Sequence, residues 1–228
     1  MSFSKFLFSF VVISLSAYQA QALTFSKNVP TAVQTQMLGD LQFVQRIQGS
    51  GGGTPIYSSI FTSHLGGQSL TQFFTSRIQA VDMNDCGGGA AAACVRPDID
   101  NRTMWLTSNF VNLPIPQLFR ISIVFHESRH TEKANRYWNH ATCPTPFRDA
   151  QGNDIRGIIS HTLMQGLPAC DVTPYGAYGL QAVLLKNIQF FCANCNEKMK
   201  MDAKLFGDDT INRLSDPAAH LAMSRDVQ

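Results

Sequence analysis

The stretch Gln117-Leu118-Phe119-Arg120-Ile121-Ser122-Ile123-Val124-Phe125-His126-Glu127-Ser128-Arg129-His130 decides how the rest of the chain is read. Leu118, Phe119, Ile121, Ile123, Val124 and Phe125 are apolar over too many faces for a surface helix. Their spacing predicts a largely buried helix from about Gln117 past His130. Pro114 and Pro116 punctuate the turn before it, and a proline fits the first helical turn, where its missing N–H would have no partner anyway. This apolar helix then ends in ionisable side chains. His126 and His130 are four residues apart, hence one turn apart on one face, where two imidazoles can reach a single ion at about 2.0–2.1 Å. Glu127 follows the first His and projects beside that ion rather than onto it. A carboxylate so placed can take a proton from a water that the ion has acidified and pass it to a leaving amine. Two solvated histidines on an ordinary helix face are the plainer alternative, but a His-Glu-His face on so apolar a helix is costly to bury without a metal. The expectation is a Zn2+ site with His126 and His130 as ligands and Glu127 as the catalytic base.

His126-Glu127-Ser128-Arg129-His130, preceded by the strand-like Thr103-Met104-Trp105-Leu106-Thr107 and the apolar helix, resembles the zincin superfamily of metallopeptidases. The match runs from Thr103 to Glu132. It implies an edge strand, here Thr103–Thr107, beside a cleft where an extended peptide or protein substrate pairs. It also implies Glu127 as the base and a third protein ligand downstream. The chain departs from the metzincin pattern, carrying Lys133 and Arg136 where that pattern has Gly and His. A gluzincin would need a downstream Glu on another helix, and only Glu197, beside a Cys-x-x-Cys, is available. The stretch Asp171 to Gly179 is similar to the aspzincin pattern of an Asp shortly before Tyr-Gly, although Tyr175 stands where that Asp would be.

The preferred third ligand is His140, ten residues beyond His130, where a returning loop can bring it to the ion. Asp171 comes next, since a Cys143–Cys170 bridge would hold it close to this region; His161 and Glu132 follow. Three protein ligands plus an open position is the usual catalytic arrangement. Each candidate also has an ordinary role: a loop His bonded to backbone, an Asp capping a turn or helix, and Glu132 paired with Arg129 at i+3. Tyr137, Tyr175 and Tyr178 could stabilise a developing oxyanion, Tyr178 being the choice among them; packing near Trp138 is the alternative.

The chain has 228 residues. Met1–Ala22 reads as a secretory signal: Lys5 supplies a positive start, Phe6–Ala17 an apolar run too short to span a bilayer comfortably, and Ala20-Gln21-Ala22 a cleavage site. Residues 23–228 are then expected to form a single zincin-like domain, secreted or periplasmic, with no stable membrane insertion after cleavage. The formal net charge of +2, without basic clustering, argues against nucleic acid as a partner. Six cysteines in an exported chain argue for disulfides. They allow fifteen pairings, among which local spacing suggests Cys86–Cys94, Cys143–Cys170 and Cys192–Cys195. Cys192-Ala193-Asn194-Cys195 has redox spacing but no βαβ context, which favours a structural bridge. A four-thiolate zinc site from Cys143, Cys170, Cys192 and Cys195 is disfavoured by export.

Helical spacing marks Pro30–Gln48, Ser69–Ser76, Gly179–Phe191 and Lys198–Leu214, with a short helix near Ile158–Met164. Ile56–Leu65 fits a strand or a short helix, Arg77–Met83 alternates as a strand does, and the run from Cys86 to Cys94 reads as a loop. The fold class expected is α+β: a small mixed sheet packed on a zinc-binding active-site helix, with a disulfide-braced helical C-terminal part. The function expected is a zinc-dependent hydrolase cleaving peptide bonds. The rivals are a zincin-like amidase on a non-peptide or cell-wall substrate and a non-catalytic exported protein with a structural zinc site.

Overall fold

The computed structural model describes residues 23–51, 53–86, 91–132 and 139–226. The expected signal Met1–Ala22 lies outside them, as do Lys133, Arg136, Tyr137 and Trp138. In chain order the elements are β1 (Thr24–Phe25), α1 (Thr31–Gln45), α2 (Pro55–Phe61), α3 (Gly67–Thr75), β2 (Ala80–Met83), β3 (Ala93–Arg96), β4 (Asp100–Leu106), α4 (Ser108–Asn112), α5 (Gln117–His130), α6 (Ala177–Phe191), α7 (Glu197–Ile211) and α8 (Pro217–Asp226). The architecture is mixed, with a small sheet and a helical C-terminal part, as the sequence predicts.

The sheet runs β1-β2-β4-β3; β1, β2 and β4 are parallel, and β3 is antiparallel to β4. The strand expected at the edge, Thr103–Thr107, belongs to β4 and is interior, with Val81 opposite Met104 on one side and Val95 opposite it on the other. The edge beside the cleft is instead β3, which begins inside the stretch that its Gly/Ala composition marks as a loop. Pairing with β4 and the Cys86–Cys94 disulfide supply there what local propensity does not.

α5 carries the core's aromatic centre. Phe125 is fully buried, its ring 5.9–6.3 Å from those of Phe61, Phe73 and Phe74. The start of α5 is fixed by charge. Arg120 donates from Nε and Nη2 to the Asp40 carboxylate of α1, each at 2.9 Å, and Gln117 Nε2 adds a third bond at 3.1 Å. A nearly buried bidentate pair of this kind specifies position more than it adds net stability, because desolvation offsets much of the attraction. α6 is buried on almost every face, from Leu180 to Ile188, and packs against both α5 and α7.

The chain between α5 and α6 departs from expectation. No helix forms over Ile158–Met164. Gly157 N–H donates to Thr162 O, and His161 sits at φ +55°, a left-handed conformation that a helix does not admit. Isolated bridges hold the segment instead, Ala141 to Cys170 and Asp171 to Leu214 among them. The short α4 and the C-terminal α8 carry too little apolar period to be seen in the sequence; α8 buries only Ala219 and Met223.

All six cysteines are paired, Cys86–Cys94, Cys143–Cys170 and Cys192–Cys195, the pairs that local spacing suggests. The Cys-x-x-Cys is therefore a structural bridge with both residues buried, and no thiolate remains for a four-sulfur metal site. Among the described residues no helix is long and apolar enough to cross a membrane.

Candidate metal centre

α5 presents His126 and His130 one turn apart, and His140, ten residues further on, reaches the same point. The Nε2 atoms of His126 and His130 lie 3.2 Å apart, and each is 3.1 Å from Nε2 of His140. This group could hold a metal ion. A tetrahedral ion with bonds of about 2.0–2.1 Å spaces its ligand atoms by about 3.3–3.4 Å, so the observed triangle needs little adjustment.

Hydrogen bonds behind the rings set where the protons are. Ser122 Oγ donates to Phe119 O at 2.8 Å, so it must accept from Gln181, whose Nε2 lies 2.9 Å away. That orients the Gln181 amide with Oε1 toward His126 Nδ1, at 3.1 Å, and puts the His126 proton on Nδ1. Asp171 Oδ1 does the same for His140 Nδ1 at 2.9 Å. The Nε2 atoms of His126 and His140 thus carry lone pairs, both aimed into the triangle. Such lone pairs repel one another unless a cation lies between them. Burial, followed by the neighbouring His130 and His140, pushes the His126 pKa well below its usual value and keeps the ring neutral, as a metal ligand must be.

Of the alternative third ligands, none joins the triangle. Asp171 stands behind His140 and not beside it; its other oxygen, Oδ2, accepts from Tyr178 N–H at 2.7 Å in the first turn of α6. It therefore orients the His140 ring and caps a helix at once. A Cβ at Gly176 would overlap the Asp171 carboxyl, which explains the glycine there. Glu132 pairs with Arg77 Nε at 2.7 Å and Arg129 Nη1 at 2.6 Å. Arg129 also donates to Tyr175 O from Nε and Nη2, at 3.0 and 2.8 Å, and so ties α5 to the loop that bears Asp171. His161 is exposed on a turn, its carbonyl accepting from Arg156.

Glu127 is buried in the same place. Burial pushes its pKa up to about 8, while a hydrogen bond from the Val95 backbone on β3 pulls the other way by favouring the carboxylate. Tyr178 packs its ring edge-on to His126, with centroids 4.5 Å apart, and stacks on His140 at 4.6 Å. Burial pushes its hydroxyl up to about 12, so it remains a donor at neutral pH. Tyr175 contributes its carbonyl rather than its ring, and Tyr137 is outside the described residues.

His126, Glu127, His140, Tyr178 and Gln181 line a cleft of about 530 Å³, whose walls include Ile115, Phe119, Ile123 and Met164. The chain was compared with family models, curated proteins and solved structures. No match was found. The reading of the site therefore stands on its geometry.

Sequence reasoning missed Gln181, Ser122 and Arg213. Gln181 left a signal: it is the one polar residue in the run Leu180-Gln181-Ala182-Val183-Leu184-Leu185, and a lone polar group on a buried helix needs a buried partner. Ser122 and Arg213 left none, because their role depends on which helices meet.

Proposed function

We propose that the protein is an exported, zinc-dependent hydrolase of peptide bonds in which His126, His130 and His140 hold the ion and Glu127 is the catalytic base. One observation carries this reading: three imidazole nitrogens, two from buried histidines and one from the half-buried His140, converge within 3.2 Å of one another beside a cleft that Glu127 also lines. Neutral imidazole suits Zn2+, and three nitrogen ligands leave a fourth position for water or substrate. Asp171 is engaged by His140 and Tyr178, so the described residues offer no fourth ligand to close the shell. That favours a catalytic over a structural zinc.

When bound, the ion supplies Lewis acidity, acidifying water and polarising a carbonyl. Glu127 accepts the proton of the attacking water on its carboxylate and delivers it to the nitrogen of the departing amine. Tyr178, still protonated, is placed beside the histidines to donate to the oxygen that gains charge. Gln181 and Asp171 hold His126 and His140 in the tautomer that ligates. An extended substrate has a natural seat on β3, the sheet edge whose Val95 backbone bonds Glu127, because a peptide added there passes the base. The three disulfides suit an oxidising compartment, in keeping with the signal-like composition of Met1–Ala22.

The test is zinc content and hydrolysis of a peptide library by the purified protein and by Glu127→Ala. Stoichiometric zinc in both, with cleavage by the parent and a loss of at least about 10³-fold in the variant, is expected from removal of the base and its proton transfer. Absence of zinc from both ends the proposal.

A further inference from the structure

Arg213, just beyond α7, lines the same cleft as the histidines and Glu127. Only 7% of it is exposed, yet its guanidinium is poorly served. Among the described residues Nε has no hydrogen-bond partner, and Nη1 meets the thioether sulfur of Met164 at 2.6 Å, a weak acceptor. Asp209, on the same wall, feels its charge, but no hydrogen bond or ion pair joins the two among the described residues. A guanidinium has five donors in a planar fork, and burying it without acceptors costs far more than burying a hydrocarbon. The nearly buried Arg120 shows what this fold does when an arginine is structural: it gives the side chain a bidentate carboxylate. Arg213 has the burial and lacks the carboxylate.

We infer that Arg213 binds a carboxylate of the substrate, so that the enzyme acts on peptides bearing an anionic group close to the bond it cleaves. The inference rests on the peptidase reading of the metal centre. The Tyr178 ring neighbours both groups, its centroid lying 4.6 Å from the His140 ring and 5.4 Å from Arg213 Cζ. The guanidinium thus lies within about three residues of extended chain of His140, at about 3.3–3.6 Å each. The carboxylate is supplied either by the chain end or by an Asp or Glu side chain. Met164 lies against Arg213, and Ile158 and Leu167 line the same cleft, which favours an apolar group next to the carboxylate. A carboxylate there completes the fork with charge-assisted bonds that Met164 cannot offer.

The experiment compares binding of N-acetyl-phenylalanine and N-acetyl-phenylalaninamide to the zinc-loaded protein by calorimetry. Alongside it, kcat/KM is measured for one peptide with a free C-terminus, its C-terminal amide, and an amide carrying Glu next to the scissile bond. The acid is expected to bind about tenfold to a hundredfold more tightly than the amide, as a charge-assisted pair dictates. Arg213→Met should erase that preference, and Arg213→Lys should retain part of it. Recovery of cleavage in the Glu-bearing amide identifies a side-chain source; cleavage only of the free acid identifies the chain end. Equal binding of acid and amide by the parent overturns the inference. So does a preference that persists in Arg213→Met, since the carboxylate then sits elsewhere. Should Arg213→Met fail to fold, the parent's acid-to-amide ratio and Arg213→Lys still decide. The binding ratio needs no turnover, so failure of this inference is separable from failure of the peptidase proposal, which shows as zinc-loaded protein that cleaves no peptide.

Discussion

Replacing Asp171 by Asn should weaken zinc binding about 10- to 100-fold, and the structure shows why so small a change has that reach. Asp171 is 3% exposed and uses both oxygens: Oδ1 accepts from His140 Nδ1 at 2.9 Å, Oδ2 from Tyr178 N–H at 2.7 Å. An asparagine has one accepting oxygen and one NH2, so one of these two donors must face another donor. If the NH2 faces His140, the ring has to move its proton to Nε2 to accept, and the lone pair that would hold the ion is lost. If the NH2 faces Tyr178, a backbone N–H in the first turn of α6 is left unsatisfied, at a cost of about 1–3 kcal/mol. In either orientation His140 loses a charged acceptor for a neutral one or none, and such partners behind a ligand are worth about 10- to 100-fold in metal affinity. Competition against a chromophoric chelator at fixed pH and salt measures the affinity, and thermal melts of the metal-free variant measure the stability. Affinity within about threefold of the parent, together with an unchanged Tm, would refute the assignment of Asp171 as the group that sets the His140 tautomer.

Glu127 should contribute to the metal-free protein a stability that is lost as pH rises from about 4.5 to about 8, opposed below about 6.5 by His126, whose lowered pKa favours the folded state as pH rises. Glu127 ordinarily titrates near 4.5 but near 8 in the folded chain, so in that window the folded state keeps a proton the unfolded state has released. The full effect is a few kcal/mol on the order of 1.4 kcal/mol per pKa unit, and Glu127→Gln should flatten it; urea melts of chelator-treated protein across pH check this, and an equal slope in the variant contradicts it. Removing the Cys143–Cys170 bridge, whose cysteines are 27 residues apart, should cost about 3–4 kcal/mol by loop entropy, against roughly 2 kcal/mol for Cys192–Cys195 with a separation of 3. Because the first bridge sits on the pairing of Ala141 with Cys170, its loss should also weaken zinc binding through His140, whereas loss of the second should not. Parallel chelator titrations of the two double Cys→Ala variants give the comparison.

Much of the site is legible in residue order because it is local. The pairing of His126 with His130 and the placing of Glu127 follow from the helical period, and the burial of that helix follows from six apolar residues spread round it. The three disulfides follow spacings of 3, 8 and 27 residues, short enough for proximity in the chain to choose the partner. His140 could be preferred over Asp171 but not separated from it, and the fold shows the reason: both reach the centre, one with Nε2 in the triangle and the other bonded behind it. The edge strand is invisible in the sequence, since β3 owes its conformation to β4 and a disulfide, not to the Gly/Ala-rich stretch in which it begins. The same is true of Ser122, Gln181 and Arg213, which come from α5, α6 and the end of α7. The partners of Ser122 and Gln181, and the lack of a carboxylate for Arg213 among the described residues, exist only once those helices are packed together. Periodicity is a property of neighbours along the chain; the choice of proton, of acceptor and of open coordination position belongs to neighbours across it.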